Sequence, residues 1–381
     1  MASFDVAIAG AGLIGSAIAL ELSEAGLRVA VFDKQEPGKE ASWASAGILS
    51  PAPESPAMIP LVPLGKASMA LYPGFARKVE ERSGMQVGYR AKGTIGAILS
   101  AHAREELSTI IALHHGLGLA ADALSAEEAR ALEPALSEEI EAAVLRPEEA
   151  SVDNRALTRA VQEAAKRSGV EFFPGRGVDA MWTEGSRCFG LIVMGEKVAA
   201  GHTVIAAGSF CGSIEGVAHL APVRPAKGQM IALRCQQARI ERVLWSEEIY
   251  LVPRNDGRIL AGATVEHIGF DKTVTAGGMK KLLKAAIELA PVLENARIEE
   301  TWAGLRPDTP DHLPILGPGD VDGLLLATGH FRSGVMLAPL TAKLIREWVT
   351  NKDFSADLSR FSPLRFQNPA ASGTSSARSS N

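Results

Sequence analysis

The sequence predicts an α/β protein that begins with a βαβ unit. A short apolar strand is predicted over 4–9, an Ala/Leu-rich helix over 13–25, and a second apolar strand over 27–33. Gly26 is predicted to end the helix region, because glycine is the usual residue just past a helix C-terminus. Apolar runs bounded by turn residues are typical of buried strands, and a strand–helix–strand unit makes its two strands parallel.

The composition is that of a folded globular protein. Of the 381 residues, 46% are hydrophobic and 22% are charged, which favours two domains or one elaborate domain. The formal net charge is −5, so no basic excess favours binding to nucleic acid or to an anionic membrane. Cys188, Cys211 and Cys235 are widely spaced and form no C-x-x-C motif, so we expect reduced thiols and no metal site.

The sequence predicts a cytoplasmic protein, and its C-terminal segment is predicted to be disordered. The apolar stretch 6–20 is interrupted by glycines and has no basic flank before it, unlike a secretory signal. A membrane span needs about twenty consecutive apolar residues, and the sequence contains no such run. The segment 367–381 is rich in Ser, Ala, Gly and Asn, which predicts disorder.

The middle of the chain alternates between predicted helices, predicted strands and one long irregular segment. That segment, 39–63, has no regular period, and long irregular segments inside compact proteins are often functional. The predicted helices are 74–82, 103–117, one opened by a capping box at Ser125, 157–167, 279–289 and 338–349. The predicted strands are 170–173, the meander 178–186 with 187–194, then 203–208, 230–233, 249–252, 258–263 and 324–329.

The turn after the first strand has the spacing of a Rossmann-type nucleotide site. It reads Gly10-Ala11-Gly12-Leu13-Ile14-Gly15, a G-x-G-x-x-G between a strand and a helix. The first glycine permits the tight turn, the second lets the backbone approach a pyrophosphate, and the third lets helix and strand pack closely. The helix N-terminus offers N–H groups and partial positive charge to the phosphates.

The acid at the end of the second strand completes this pattern. Asp33 lies eighteen residues past Gly15, where it can accept hydrogen bonds from ribose hydroxyls and would repel the 2′-phosphate of NADP. The motif by itself leaves NAD and FAD open. Because no second G-x-G-x-x-G follows, we expect one dinucleotide as the fixed cofactor and a small molecule as the other redox partner.

Four stretches between residues 5 and 366 give the chain a resemblance to a known family. They are the glycine turn with Asp33, ASWASAGI at 41–48, WAGLRP at 302–307 and GHFRSGVMLAP at 329–339. With them the sequence resembles the FAD-dependent D-amino-acid oxidase superfamily, most closely the glycine oxidases of thiamine biosynthesis. Ala41, Trp43 and Ser45 depart from the Thr/Ser/Ala-rich version of the second stretch that is usual in the family.

The resemblance implies a Rossmann-like FAD-binding domain, discontinuous in sequence, with an antiparallel-sheet substrate domain over the flavin. It implies noncovalent FAD, since family members with covalent FAD use a cysteine and the last cysteine here is Cys235. The implied FAD-binding domain is 1–88, 145–221 and 301–366, and the implied substrate domain is 89–144 and 222–300. The residues expected to contact FAD are Gly10, Gly12, Leu13, Ile14, Gly15, Asp33, Lys34, Ala41, Ser42, Ala46, Gly47, Ile48, Val178, Gly208, His330, Phe331, Arg332, Ser333, Gly334, Val335 and Met336.

Two arginines and a tyrosine are the candidate substrate-binding residues. Arg332 is the first candidate and Arg306 the second, because both match carboxylate-binding positions of the family and a guanidinium can hold a carboxylate in bidentate geometry. Tyr250 matches a pocket tyrosine of the family. The alternatives are ordinary ones: an isolated arginine is often a surface or ion-paired residue, and a strand tyrosine is often packing.

We expect no protein side chain to act as a catalytic base. His330 titrates near neutrality in isolation, but hydride transfer from a neutral amine needs no base, so a hydrogen bond to the cofactor or backbone is the expected role. Trp302 and His267 are further candidates for the pocket, on the basis of their positions in the sequence alone.

The resemblance implies oxidative deamination of glycine, sarcosine or D-alanine, with O₂ as electron acceptor and a role in making the thiazole of thiamine. A homo-oligomer, in this family commonly a tetramer, is implied in the same way. Two alternatives remain open at the level of the sequence: an amino-acid dehydrogenase that passes electrons to a quinone or carrier protein, and a flavin-binding protein without turnover.

Overall fold

The structure is a computed structural model that describes residues 3–100 and 102–367. The predicted disordered tail therefore lies outside the described residues, apart from Gln367. The helices are α1 Leu13–Glu24, α2 Ala41–Ala44, α3 Val62–Ser83, α4 Ala103–Gly116, α5 Ala126–Leu132, α6 Asn154–Arg167, α7 Ala276–Leu289 and α8 Gly334–Asn351. The strands are β1 Ser3–Ala9, β2 Val29–Asp33, β3 Ile48–Leu49, β4 Thr94–Ile98, β5 Asp122–Ser125, β6 Ala142–Arg146, β7 Ala150–Ser151, β8 Glu171–Pro174, β9 Val178–Glu184, β10 Arg187–Val193, β11 Glu196–Ile205, β12 Arg224–Arg234, β13 Val243–Trp245, β14 Tyr250–Pro253, β15 Arg258–Gly262, β16 Arg297–Asp308, β17 Ile315–Pro318 and β18 Leu324–Thr328.

The first sheet contains the predicted βαβ unit. Its strand order is β17-β18-β11-β1-β2-β8, with β10 and β9 added as a meander on β11. The strands from β18 to β8 run parallel, and β17 pairs with β18 in the opposite sense. Helices α1, α6 and α8 cover one face of this sheet, and the β9–β10 meander with the segment 208–221 packs on the other, which is why its central strands are apolar on both faces. The prediction of a parallel, Rossmann-like sheet is confirmed.

Helix α1 is the centre of the larger hydrophobic core. Its small side chains, including Ala17 and Ala19, are fully buried and let α6 and α8 approach closely. Helix α3 packs against α8 and α6 on the outside of the same core. The N-termini of α1 and α8 thereby lie on the same side of the sheet, at the carboxyl ends of β1 and β18, where open α/β sheets bind their ligands.

The second sheet is the antiparallel one that the resemblance implied. Its order is β16-β12-β15-β14-β13-β4-β6-β5, and only the β13–β4 pair in it is parallel. One face packs on α7 through residues such as Ile231, Leu251 and Leu282. The other face packs, through Met230, Trp302 and their neighbours, against the segment 41–48. The alternation of side chains along β12 places successive residues on these opposite faces.

Several strands, among them β4, β6 and β17, were not predicted from the sequence, and for two elements the reason for the difference is identifiable. Helix α3 extends well before the predicted start at residue 74, because Pro63 is in its first turn, where proline is tolerated, and Pro73 is accommodated inside it. Strand β16 was not predicted, since it contains Gly304 and Pro307. It lies at the edge of its sheet, where a strand can contain proline, and Pro307 is opposite Pro225 of β12.

Two strands run across the predicted domain limits. Strand β6 spans the limit at 144–145, and β16 spans the limit at 300–301 while pairing with β12 over its whole length. The division of the chain into domains stays a prediction.

None of the helices in the described residues is both long and apolar enough to cross a bilayer. The three cysteines are all buried and unpaired.

Candidate functional site

The glycine turn is held in a conformation that requires glycine at its first position. Gly10 has φ +105°, and a Cβ there would lie 2.5 Å from the carbonyl oxygen of Ala206 on the neighbouring strand. A Cβ on Gly15 would collide with the carbonyl oxygen of Gly10, so this residue allows α1 to lie against β1. Gly12 faces the cleft instead. The tight packing predicted at Gly10 and Gly15 is present, and the role of Gly12 toward a pyrophosphate stays a prediction.

Asp33 fastens the same turn from the end of β2. Its carboxylate accepts hydrogen bonds from the backbone N–H of Ala11 at 2.8 Å and of Gln35 at 3.1 Å. Burial nevertheless raises the pKa of Asp33, because two N–H groups only partly replace the lost water. Next to it, the ammonium group of Lys34 lies 3.1 Å from the centre of the Phe210 ring. Both side chains line the cleft.

The segment 41–48 crosses between the two sheets and depends on a buried arginine. One Nη atom of Arg254 donates to the carbonyl of Ala46 and to Oδ1 of Asn154, each at 2.8 Å. Asn154 in turn donates to the carbonyls of Ser42 and Trp43, at 2.8 and 3.0 Å. Arg254 is only 7% exposed, and this burial lowers its pKa to about 10.

Trp43, the bulky departure from the family pattern, points away from the cleft. Its ring packs edge-on against Trp302, and the guanidinium of Arg155 lies 3.7 Å from its centre. Arg155 also makes a bidentate ion pair with Glu300 of β16, at 2.8 and 3.2 Å. The indole N–H of Trp302 donates to the carbonyl of Ala44 at 2.9 Å. Trp43 thus packs between α6 and β16 of the second sheet.

The cleft consists of two connected hollows. The outer hollow, about 1190 Å³ with its mouth, extends from Asp33 past the glycine turn to His330. The inner hollow, about 970 Å³ with its mouth, lies between the segment 41–48 and the second sheet and reaches Tyr250. Leu305 is among the residues that line both.

All but one of the predicted cofactor residues line one of these hollows. The exception is Gly15, which lies under the turn. Those on the outer hollow are Gly10, Gly12, Leu13, Ile14, Asp33, Lys34, Ser42, Val178, Gly208, His330 and Gly334; those on the inner are Ala46, Gly47, Ile48, Ser333 and Met336; and Ala41, Phe331, Arg332 and Val335 line both. Their roles toward a cofactor stay predictions.

Arg306 is half-buried and has no carboxylate partner among the described residues. Its Nη1 donates to the carbonyls of Thr264 at 3.1 Å and Lys227 at 3.4 Å. Gly228 leaves the space for the guanidinium, since a Cβ there would collide with it. Burial lowers the pKa of Arg306, because neutral carbonyls compensate a cation less well than a carboxylate does.

A buried ion pair on the other face of the sheet holds these two carbonyls in place. The ammonium of Lys227 is fully buried and lies 3.2 Å from Oε2 of Glu266. The main chains of Lys227 and Glu266 also exchange two hydrogen bonds. Oε1 of Glu266 accepts the Thr264 hydroxyl at 2.6 Å, so the acceptors of Arg306 belong to one rigid network.

Tyr250 and Arg332 complete the inner hollow. Burial raises the pKa of Tyr250, whose hydroxyl donates to the sulfur of Met230 at 3.2 Å. Arg332 forms an ion pair with Glu54, a residue of the irregular segment 39–63. The sequence analysis missed Glu54, Phe210 and Trp245, all of which line the cleft. Their positions depend on long-range packing, and none has a local motif.

His330 is a buried neutral residue. Its Nε2 is 3.1 Å from the hydroxyl of Thr341 in α8, and burial lowers its pKa to about 3. Next to it, Phe331 has φ +47° and stacks on His312, which brings the following Arg332 into the inner hollow. The other sequence candidate, His267, does not line either hollow, whereas Trp302 packs behind the segment 41–48.

Comparisons with known proteins agree with this geometry. Residues 5–348 match the family described as FAD dependent oxidoreductase. The chain is 36% identical to the bifunctional protein ThiO/ThiG of Trichormus variabilis over 96% of its own length, but it spans only 56% of that protein. It is 32% identical to the hydrogen cyanide synthase subunit HcnC of Pseudomonas aeruginosa, covering 97% of this chain and 98% of that one. The crystal structure of glycine oxidase from Geobacillus kaustophilus matches with TM-score 0.91 and 34% identity, over 96% of this chain and 99% of that one.

The residues of the cleft fit FAD. The two hollows adjoin, since they share lining residues such as Ala41, Leu305 and Val335, and side by side they offer the length that an extended dinucleotide requires. Neither α1 nor α8 has an acidic residue in its first turn, and both helices begin at the outer hollow, so their N-termini suit a pyrophosphate. Asp33 and Lys34 lie at the far end, where a ribose and adenine would be held.

Replacing Arg254 by methionine is expected to destabilise the protein and weaken FAD binding. The Ala46 carbonyl and the Asn154 amide would lose a charged donor in a buried place, at a cost of about 3 kcal/mol. The midpoint of thermal unfolding and the Kd for FAD, from fluorescence titration of apoprotein, measure the effect. We expect the Kd to rise at least about tenfold.

Arg258→Met is the matched control, because Arg258 is on the same sheet but pairs with the half-exposed Asp256. Equal FAD affinity in the two variants would show that Arg254 does not position the segment 41–48.

Replacing His330 by asparagine is expected to change how stability depends on pH. The folded-state pKa of about 3 lies below the unfolded value near 6.5, so this residue stabilises the fold above pH 6.5, and its contribution is lost as the pH falls from 6.5 toward 3. Denaturant unfolding at pH 7.5 and 4.5 measures this effect. Between these two pH values, the free energy of unfolding should fall by about 2 kcal/mol less in His330→Asn than in the wild type.

His219→Asn, at a half-exposed histidine beside Asp320, serves as the control. A His330 variant with the same acid-induced loss as the wild type would contradict the assignment of a buried neutral imidazole.

Proposed function

Because the chain belongs to the family of FAD-dependent oxidoreductases that matches residues 5–348, we propose that it oxidises glycine and other small amino acids, such as sarcosine and D-alanine. The amine is converted to an imine, which water hydrolyses to a 2-oxo acid and ammonia, or methylamine in the case of sarcosine, while O₂ is reduced to hydrogen peroxide. The similarity to a glycine oxidase over nearly the full length of both chains supports this substrate class.

One observation supports the proposal most directly: the half-buried guanidinium of Arg306 donates to two carbonyls and has no carboxylate partner among the described residues. A charge withdrawn from water is costly unless an opposite charge accompanies it. A substrate carboxylate would supply that charge in the inner hollow, and the fork of the guanidinium would fix its orientation through two hydrogen bonds. The rigid network of Lys227, Thr264 and Glu266 keeps the guanidinium from turning away.

The two arginines differ in readiness to bind an anion. Arg332 was the first candidate on sequence grounds, but it is already paired with Glu54, whereas no carboxylate is paired with Arg306 among the described residues. We therefore propose Arg306 as the principal carboxylate clamp, with Tyr250 as a neutral hydroxyl donor beside it. The raised pKa of Tyr250 keeps its proton in place at neutral pH.

The remaining residues orient the substrate and exclude water. FAD, when bound, supplies the acceptor for the two electrons and the hydrogen that leave the substrate Cα. The clamp holds the Cα in one orientation, which replaces a random encounter by a positioned one. His330 has a pKa of about 3 and stays neutral, so it holds its hydrogen bond to Thr341 and does not serve as a base near neutral pH.

A place in thiamine biosynthesis forms part of the proposal. It is supported by the similarity to ThiO/ThiG, of which this chain matches about half. In such a role the imine would be used for thiazole formation instead of being hydrolysed. A second candidate function is that of an amino-acid dehydrogenase, which passes the electrons to a quinone or carrier protein instead of O₂. The similarity to a hydrogen cyanide synthase subunit keeps it in view, since not all relatives of this chain are named oxidases.

Anaerobic addition of glycine, sarcosine or D-alanine to the purified FAD-loaded protein is expected to bleach the oxidised flavin spectrum. Admitting air should restore the colour and release one peroxide per amine consumed. Recovery with an added quinone or dye but not with air would favour the second candidate. No bleaching by any of the three amines would contradict the proposed function.

Replacing Arg306 by methionine is expected to lower kcat/KM for glycine by about 100-fold or more, because the substrate carboxylate loses a half-buried charged partner. Steady-state peroxide production measures this, and the FAD spectrum confirms that cofactor remains bound. Arg332→Met should cost less, since Glu54 already neutralises part of that charge.

Arg297→Met is the matched control, an exposed arginine on the same strand as Arg306. A larger loss in Arg332→Met than in Arg306→Met would reverse the assignment of the principal clamp.

A further inference from the structure

The inner hollow contains an acid whose role the proposed reaction does not explain. Three charged side chains line it: Arg306, Arg332 and Glu54. Glu54 pairs with Arg332, whereas Arg306 has no carboxylate partner among the described residues. Their charges sum to one positive charge, which matches one substrate carboxylate. Without Glu54 the same hollow would have two positive charges and could hold two carboxylates.

We propose that Glu54 is a specificity-determining residue that occupies Arg332 and so masks a second carboxylate subsite. The site then selects amines with one carboxylate against amines with two. This inference rests on the proposed function, since it concerns the substrates of the same hollow.

The backbone around Glu54 is conformationally restricted, which limits where its side chain can lie. In Ser50-Pro51-Ala52-Pro53-Glu54, the three residues that alternate with the prolines all line the inner hollow. Each proline fixes its own φ and disfavours helical geometry in the residue before it, which keeps the segment extended. Glu54 is therefore not at the end of a freely moving loop.

A buried carboxyl group fastens the start of this segment. The hydroxyl of Ser50 bonds to Oε1 of Glu149, and the backbone N–H of Ala52 donates to Ser50 Oγ at 3.3 Å. Oε2 of Glu149 accepts the Thr94 hydroxyl at 2.6 Å, which links the segment to β4 of the second sheet. The ion pair of Glu54 with Arg332 thus joins two anchored pieces of backbone.

The charge balance predicts how two closely related substrates should differ. Sarcosine and iminodiacetate are both secondary amines. Sarcosine has one acetate arm and a methyl group on nitrogen, and in iminodiacetate a carboxylate replaces one hydrogen of that methyl group. One carboxylate of either compound can bind Arg306. The second carboxylate of iminodiacetate would approach Arg332, where it meets the negative charge of Glu54 and must displace it. Partial exposure of the ion pair, 29% for Arg332 and 37% for Glu54, allows such a displacement without unfolding.

Glu54→Gln tests the proposal, because it removes the charge and keeps the shape. With FAD-loaded protein, we expect the ratio of kcat/KM for iminodiacetate to kcat/KM for sarcosine to rise at least about tenfold over the wild type. Glu248→Gln is the matched control: Glu248 is an exposed acid near Tyr250 that pairs with Lys281 and does not line the hollow. Its ratio should equal that of the wild type.

A binding measurement separates this inference from the proposed reaction. Thiodiacetate and (methylthio)acetate lack the amine and so cannot form an imine, and they differ by one carboxylate. Their Kd values come from the change in flavin absorbance on titration. Glu54→Gln should bind thiodiacetate at least about tenfold more tightly than the wild type, with (methylthio)acetate changing less than about threefold.

The outcomes are distinct. If no amine bleaches the flavin but thiodiacetate binding follows this expectation, the proposed reaction fails and the masked subsite stands. An equal gain for both thioethers, or no gain for thiodiacetate, overturns the masked subsite. The double variant Glu54→Gln/Arg332→Met should lose the gain in thiodiacetate binding; if it keeps the gain, Arg332 is not the second subsite.

Discussion

The hydrogen bonds of the Arg254 guanidinium are the interaction on which the cleft most depends. Arg254 belongs to the second sheet, yet its two acceptors, the Ala46 carbonyl and the Asn154 side chain, lie outside that sheet, in the segment 41–48 and in α6. The segment 41–48 has few large side chains of its own, so its path is fixed mainly through its carbonyl groups. The same segment forms a wall of both hollows. A buried cation with a lowered pKa, between the second sheet and this segment, is therefore a structural element of the site.

Three arginines at or near the inner hollow differ in their partners. Arg254 lies outside the lining of the hollow and donates to fixed acceptors of the protein. Arg306 is held by two carbonyls that direct it without neutralising it, and Arg332 is paired with an acid from the segment 39–63. We propose that these similar guanidinium groups serve for structure, for substrate binding and for selectivity, respectively. What distinguishes them is the charge and rigidity of their partners.

Much of the cofactor side of the cleft could be predicted from local sequence. The spacing of Gly10, Gly12 and Gly15 and the acid at Asp33 depend on one turn and two adjacent elements, and the structure places them as the spacing predicts. The substrate side was harder. Strand β16 contains glycine and proline and is recognisable only once its edge position is known, and Glu54 lies in a segment without any period. Neither Arg254 nor the Lys227–Glu266 pair has a motif, since each depends on residues distant in sequence.

The sequence by itself determined the βαβ start, the site of the dinucleotide and the residue types available to hold a carboxylate, because these follow from periodicity, turn stereochemistry and short motifs. Only the tertiary structure decided which arginine has no carboxylate partner and which is neutralised. The charge state and orientation of a side chain depend on burial and on partners brought together from remote parts of the chain, and no local pattern specifies those.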